Sequence, residues 1–224
     1  MAIKMTTRVS FEHELENLKN SLDEMSLHVE HSIDKLFNAM EQMDSELAEY
    51  LYKNDRVVND MERSIESQCL SIITRQQPVA GDLRLVSSAL KVVTDIERIG
   101  DHAVDIAELI LRWNNVKMLS YSSHISPMIE ASKDMVHRAV AAFTNKDMDS
   151  AKDVIKSDDV VDELFNKVKF DVIDLLRKGT DNVDICIDIM MVAKYLEKIG
   201  DHAVNIAEWE IFRETGSIRD IRLL

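Results

Sequence analysis

From Phe11 to Met40, the apolar residues Phe11, Leu15, Leu18, Leu22, Met25, Val29, Ile33, Leu36 and Met40 recur in steps of three and four. That spacing gathers them on one face of a helix, and Ser10 stands where an N-cap is expected. Asp44 is placed to cap a second helix running to about Gln76. The stretch QPVAGD then interrupts the pattern, because Pro78 disfavours helix before it and Gly81 loosens the backbone. A third helix runs to about Trp113. The polar, serine-rich NNVKMLSYSSHISP, Asn114 to Pro127, reads as a linker. Beyond it a fourth helix reaches about Phe143, and a turn with Asp147 as cap leads into a fifth. KGTDN ends the fifth near Arg177, and a sixth runs to about Glu214.

The halves repeat one another. DRVVND at Asp55 aligns with DDVVDE at Asp158, an offset of 103, and IERIGDHAVDIAE from Ile96 aligns with LEKIGDHAVNIAE from Leu196, an offset of 100. Each half is therefore helix–helix–helix, with the matching motifs on its second and third helices. The composition agrees: 5% aromatics, 5 Gly and 2 Pro in 224 residues favour long helices over sheets. We expect an all-α fold of six long helices in two tandem three-helix bundles, residues 1–116 and 117–224. One continuous core shared by six helices is the other arrangement the pattern allows.

The third and sixth helices carry the chemistry. With about 100° per residue, Ile96, Ile99, Ala103, Ile106 and Ile110 form the core stripe, and Glu97, Asp101, Asp105 and Glu108 gather opposite it. Like charges at i, i+4 destabilise a helix by a few tenths of a kcal/mol per pair. Glu197, Asp201, Asn205 and Glu208 repeat the arrangement. One such face alone reads as a solvated surface. From 97 to 108, however, ten of twelve positions equal their partners from 197 to 208. Packing fixes the Ile and Ala positions and does not require the acidic ones to match, so both halves use that face.

A hard or borderline cation relieves the repulsion of carboxylates stacked this way. The second helix of each half offers further donors: Asp55, Asn59 and Glu62 in one, Asp158 and Asp162 in the other. Asn59 corresponds to Asp162, and Asp105 to Asn205, so each five-residue set keeps four carboxylates and one amide. That follows if the two helices share a site. His102 and His202 lie about 100° round the helix from the aspartates. They are second-tier candidates, at the edge of the core, with Glu62 and Asn205. Gly100 and Gly200 sit mid-helix at a cost of about 1 kcal/mol against Ala, which points to close approach of another helix or chain.

A formal charge of −14 argues against nucleic acid and against adsorption to an anionic membrane. No long apolar run or signal peptide is present, so a cytoplasmic chain with no direct membrane insertion is expected. Cys69 and Cys186 read as small core residues. A ferritin-like di-iron enzyme needs Glu-x-x-His on two helices; the nearest approach, Asp134 with His137, occurs once. Phosphate is not expected on the acidic faces, which lack a Gly-rich cradle, except through a bridging metal.

The doubled E-[RK]-I-G-D-H-A-V-[DN]-I-A-E resembles the PhoU family of phosphate-uptake regulators. FEHELENLKNSLDEM is similar to that family's opening helix, RQQPVAGDLRLV to its link into the third helix, and DDVVDELF to the start of its fifth. The resemblance implies tandem three-helix bundles, often homodimeric, and no catalysis. It implies a negative regulator of phosphate uptake and phosphate-starvation signalling, linking the ATPase subunit of a phosphate ABC transporter to a sensor histidine kinase. It also implies metal, iron or zinc in several members with Mg or Mn as further candidates, on the Glu/Asp-x-x-x-Asp motif: here Glu97 with Asp101 and Glu197 with Asp201. The carboxylate at Asp105 departs from the family's usual Asn and makes the two faces unequal. A metal-storage or metal-sensing protein using the same faces is the alternative.

Overall fold

The computed structural model describes residues 2–53, 56–113, 118–218 and 221–222. Seven α-helices account for most of them: α1 (Ala2–Gln42), α2 (Ser45–Lys53), α3 (Arg56–Gln76), α4 (Gly81–Arg112), α5 (Ile125–Asn145), α6 (Met148–Arg177) and α7 (Val183–Thr215). A 3-10 turn at Met118–Ser120 precedes α5, and a two-residue antiparallel pair, Ser217–Ile218 with Ile221–Arg222, follows α7.

Most boundaries lie where turn chemistry puts them. Asp147 caps α6 by accepting from the Asp149 and Ser150 amides, and Asp44 accepts from the Leu47 amide at 3.0 Å ahead of α2. Gly216, at φ 76°, closes α7 in the left-handed conformation that glycine adopts without strain. Three expectations are corrected. Ser10 is not a cap, because α1 already begins at Ala2. The single helix expected from Asp44 to Gln76 is two, α2 and α3, and residues 54–55 between them lie outside the described residues. The linker is shorter than its composition suggests: α5 starts at Ile125, and Pro127 falls in its first turn, where a missing N–H costs nothing. The expected boundary at 116/117 lies outside the described residues.

The fold is an all-α, two-repeat helical bundle. The apolar stripes of both repeats join in one contiguous buried cluster, running from Leu18 on α1 to Ala207 on α7. α4 packs on α1, α2 and α3, α7 packs on α5 and α6, and α4 and α7 pack on each other as extensively as any pair in the molecule. Those two run antiparallel. Arg84 Nε donates to the Arg213 carbonyl at 2.9 Å near one end, and Trp113 Nε1 donates to Asp188 Oδ2 at 3.0 Å near the other. On the opposite side α1 meets α5 through Glu30–His137 at 3.0 Å and Asp34–Lys133 at 2.5 Å.

One buried ion pair ties the end of α7 to α5. Arg213 Nη2 donates to Glu210 Oε1 at 2.6 Å and Nη1 to the Phe143 carbonyl at 2.7 Å. Glu210 is 0% exposed, and burial pushes its carboxyl up to about 7 against the opposing pull of Arg213.

The mid-helix glycines lie where α3 and α6 cross the motif helices. A Cβ at Gly100 would sit 3.4 Å from Val58 Cγ1, and one at Gly200 would sit 3.5 Å from Asp158 Oδ1 and 3.6 Å from Val161 Cγ1. These are ordinary contacts for a methyl group and leave no room for more. Gly200→Ala should therefore be neutral or stabilising by up to about 1 kcal/mol. Gly200→Leu should destabilise by about 1–3 kcal/mol, both read from urea denaturation midpoints.

Candidate functional site

The second-half acidic face draws its carboxylates from two helices. Asp158 and Asp162 come from α6, one turn apart, and Glu197 and Asp201 from α7, also one turn apart. Gly200 lets α6 approach closely enough for Asp158 to lie beside the motif. Burial pushes the Asp158 carboxyl up to about 6, and the charges of Asp162, Asp201, Glu197 and Asp159 add to that shift. Cations of α7 itself neutralise part of this charge. Lys194 Nζ lies 2.6 Å from Glu197 Oε2, while Lys198 bonds Asp201 and stands 3.4 Å from Glu197.

The first-half face is built the same way from α3 and α4, with different occupants. Glu97, expected to point outward, is only 8% exposed, because α4 is flanked by α3 on one side and α7 on the other. Arg98 spans Glu97, at 3.4 Å, and Asp101, at 2.9 Å. Glu62 on α3 is half-buried, and burial raises its carboxyl above the usual range. Glu66 and Asp101 add to that rise, while a Thr94 hydrogen bond and Arg98 oppose it. Asn59 is half-buried on α3; Asp55 lies outside the described residues. Among the described residues, no group of three or more His, Cys, Asp or Glu side chains stands arranged around a common metal position.

Asp105, Asn205, His102 and His202 have a different setting: they line the seam between α4 and α7. Asn205 Nδ2 donates to Asp95 Oδ1 at 3.0 Å, and His202 Nδ1 stands 2.8 Å from the same oxygen. Across the local pseudo-twofold, Tyr195 takes the place of Asp95. His102 stacks on its ring at 5.6 Å, with Asp105 Oδ2 3.4 Å from His102 Nδ1. The two imidazoles face each other at 5.7 Å. Burial lowers the His102 pKa against the Asp105 hydrogen bond, and His202 adds to the lowering.

The seam supplies a cause for the Asp105/Asn205 exchange that does not involve Asn59 and Asp162. Position 205 must meet the Asp95 carboxylate, so an amide that can donate stands there. Position 105 lies on the side of Tyr195, which stands where Asp95 stands on the other side, so a carboxylate there does not face that acid. Asp95 and Tyr195 are seam residues that the sequence reading passed over; their signal was an acid and a tyrosine at equivalent positions two residues before the motif glutamates.

Two other clusters resemble catalytic groups without their connectivity. Ser122 Oγ donates to Asp171 Oδ2 at 2.6 Å, and His124 Nδ1 lies 2.8 Å from the same oxygen. The serine is thus bonded to the acid and not to the imidazole that would have to activate it. Together with Asn182 Nδ2 donating to Tyr121 Oη at 2.9 Å, these contacts fasten the segment before α5 to the second repeat. Asp134 and His137, the nearest approach to a di-iron motif, have separate partners: Asp134 pairs with Arg138 at 2.8 Å and His137 with Glu30. Cys69 and Cys186 are buried and free, as their surroundings predict, and burial pushes the Cys69 thiol up to about 12. Among the described residues no helix is long and apolar enough to cross a membrane.

Comparison with known proteins places this geometry in a family. The family model for the PhoU domain matches twice, over residues 22–110 and 125–209. A phosphate-specific transport system accessory protein PhoU homolog of Clostridium acetobutylicum is 36% identical over 216 residues, which span 96% of this chain and 99% of that protein. The crystal structure of PhoU from Pseudomonas aeruginosa is similar with a TM-score of 0.85 and 32% identity, over 92% of this chain and all of that one. The phosphate transport system regulatory protein PhoU from Streptococcus pneumoniae gives the same TM-score at 25% identity, over 94% and 99% of the two chains. The chain, with its doubled motif on the two helices that meet at the seam, belongs to the PhoU family.

Proposed function

We propose that this protein is an accessory regulator of a phosphate transport system. In this reading it represses uptake and starvation signalling as a cation-binding adaptor between the transporter's ATPase subunit and a sensor histidine kinase. The relatives' names supply the transport system. The observation that carries the cation reading is the placing of Asp158 and Asp162 of α6 beside Glu197 and Asp201 of α7, where burial first, and then the neighbouring negative charges, raise the Asp158 carboxyl to about 6. The donor set fits a hard or borderline cation: all oxygen, mutually repelling, and held in check by flexible lysines that a metal can displace. In the first half Glu97 and Asp101 hold the corresponding places, and Glu62 of α3 adds a carboxylate near them. A bound ion supplies charge neutralisation between α6 and α7, and between α3 and α4. The chain's own part is to hold the carboxylates at that crossing and to present the surrounding surface to its partners.

The raised Asp158 pKa fixes the sign of a stability effect. A carboxyl that holds its proton more tightly folded than unfolded contributes stability that is lost as pH rises from about 3.8 to about 6. Asp158→Asn should thus stabilise the metal-free protein at pH 7, by about 1 kcal/mol after discounting for partial exposure, and the gain should vanish near pH 4. With saturating metal the order should reverse, with the wild type having the higher thermal midpoint. Elemental analysis of untagged protein should find metal that the Asp101→Ala/Asp201→Ala double variant has lost while keeping its helical circular dichroism. Unchanged metal content would sink the ligand assignment. Deleting the gene should raise phosphate-starvation transcripts in phosphate-rich medium, and normal repression there would count against the adaptor role.

A further inference from the structure

The acidic crossings of the two repeats differ at a pair of facing positions. Position 62 on α3 corresponds to position 165 on α6 at the offset of 103, and position 94 on α4 to position 194 on α7 at the offset of 100. In the first repeat the pair is Glu62 with Thr94, and in the second it is Phe165 with Lys194. Both pairs are in contact. Thr94 hydrogen-bonds the Glu62 carboxylate, and Lys194 Nζ lies 5.6 Å from the centre of the Phe165 ring. The exchange is thus coupled across two helices. Where the first repeat adds a carboxylate to its crossing, the second adds a cation over an aromatic face.

That cation is committed to a motif carboxylate. Lys194 Nζ bridges both oxygens of Glu197, at 2.7 and 2.6 Å. The Glu197 side chain is 16% exposed, against 69% for Glu163, the partner of Lys167 on α6. Water therefore screens the Lys194 pair less than it screens an ordinary surface pair. Lys198 is a different case. It bonds Asp201 as Arg98 bonds Asp101, so both repeats have that contact. The position equivalent to Lys194 is a threonine, so the bridged glutamate is a device of the second repeat. An ion held by Asp158, Asp162, Glu197 and Asp201 needs those same Glu197 oxygens.

We propose that Lys194 is the resident cation of the second crossing: it withholds Glu197 until a divalent ion displaces it, and so sets the affinity of that crossing below the value its four carboxylates would give. This rests on the cation reading of the acidic faces and adds a regulation to it. An ion entering the crossing has to break the Lys194–Glu197 pair, and its binding energy is reduced by what that pair was worth. The displaced ammonium keeps the Phe165 ring as a second support, so it leaves the carboxylate without leaving the crossing. Lys194 is therefore a positioning residue that acts through Glu197 and touches no metal itself.

Titration of the metal-free, full-length protein with Mn²⁺ at constant ionic strength, with the free ion counted by electron paramagnetic resonance, reads the effect. An Asp101→Ala background removes the first-half motif aspartate and leaves the second crossing to be measured. There Lys194→Met, which keeps the stem and removes the charge, should tighten binding about tenfold. Lys194→Arg should keep the affinity of the background. Lys167→Met removes a lysine paired with Glu163 at 2.7 Å and should also leave the affinity unchanged. Binding to Lys194→Met no tighter than to the background, or an equal gain from Lys167→Met, would overturn the role of Lys194 while leaving the cation reading intact. Manganese bound by none of these proteins, at helical circular dichroism equal to the wild type, would overturn the cation reading and this assignment with it.

Discussion

The antiparallel contact of α4 with α7 is the constraint on which the rest of the structure depends. These two helices carry the doubled motif and both core stripes, and each must pack on the other helices of its own repeat as well as on its counterpart. Burying a helix on so many sides leaves a narrow strip for polar groups. The motif fills that strip with groups of different fates: carboxylates where α3 and α6 cross, and imidazoles, an amide and a carboxylate along the seam. Polar groups in such a seam have to be matched across it. Asp95 with His202 and Asn205 on one side, and Tyr195 with His102 and Asp105 on the other, achieve this.

The same crowding explains the acidic faces. Their carboxylates are only partly solvated. They rest against arginine or lysine side chains of their own helix, long enough to swing out. Half-buried acids held by mobile cations are an arrangement that a competing cation, or a basic surface, can readily reorganise.

Much of the fold was legible because it rests on period and turn chemistry. Ile96, Ile99, Ala103, Ile106 and Ile110 are all buried, as their spacing requires, and Asp44, Asp147, Pro78 and Gly81 mark the breaks they were expected to mark. The split between α2 and α3 was not legible, since no proline or glycine lies between Ser45 and Gln76 to announce it. Nor was the burial of Glu97, which depends on the neighbours of α4 and not on its own sequence. The Asp/Asn exchange was visible, but the pattern along one helix carries no information about the register of another. Only the antiparallel register of α4 and α7 reveals that position 205 answers to position 95.

The seam has a consequence for symmetry. A protein assembled from two copies of the first repeat would set Asp95 against Asp105 twice, carboxylate facing carboxylate on both sides of the axis. One assembled from two copies of the second would set Tyr195 against Asn205 twice, with no charge to fix either imidazole. Only the mixed pair gives each imidazole a carboxylate without setting two acids face to face. The two repeats have therefore become complementary halves of one object, and neither can be exchanged for a duplicate of the other.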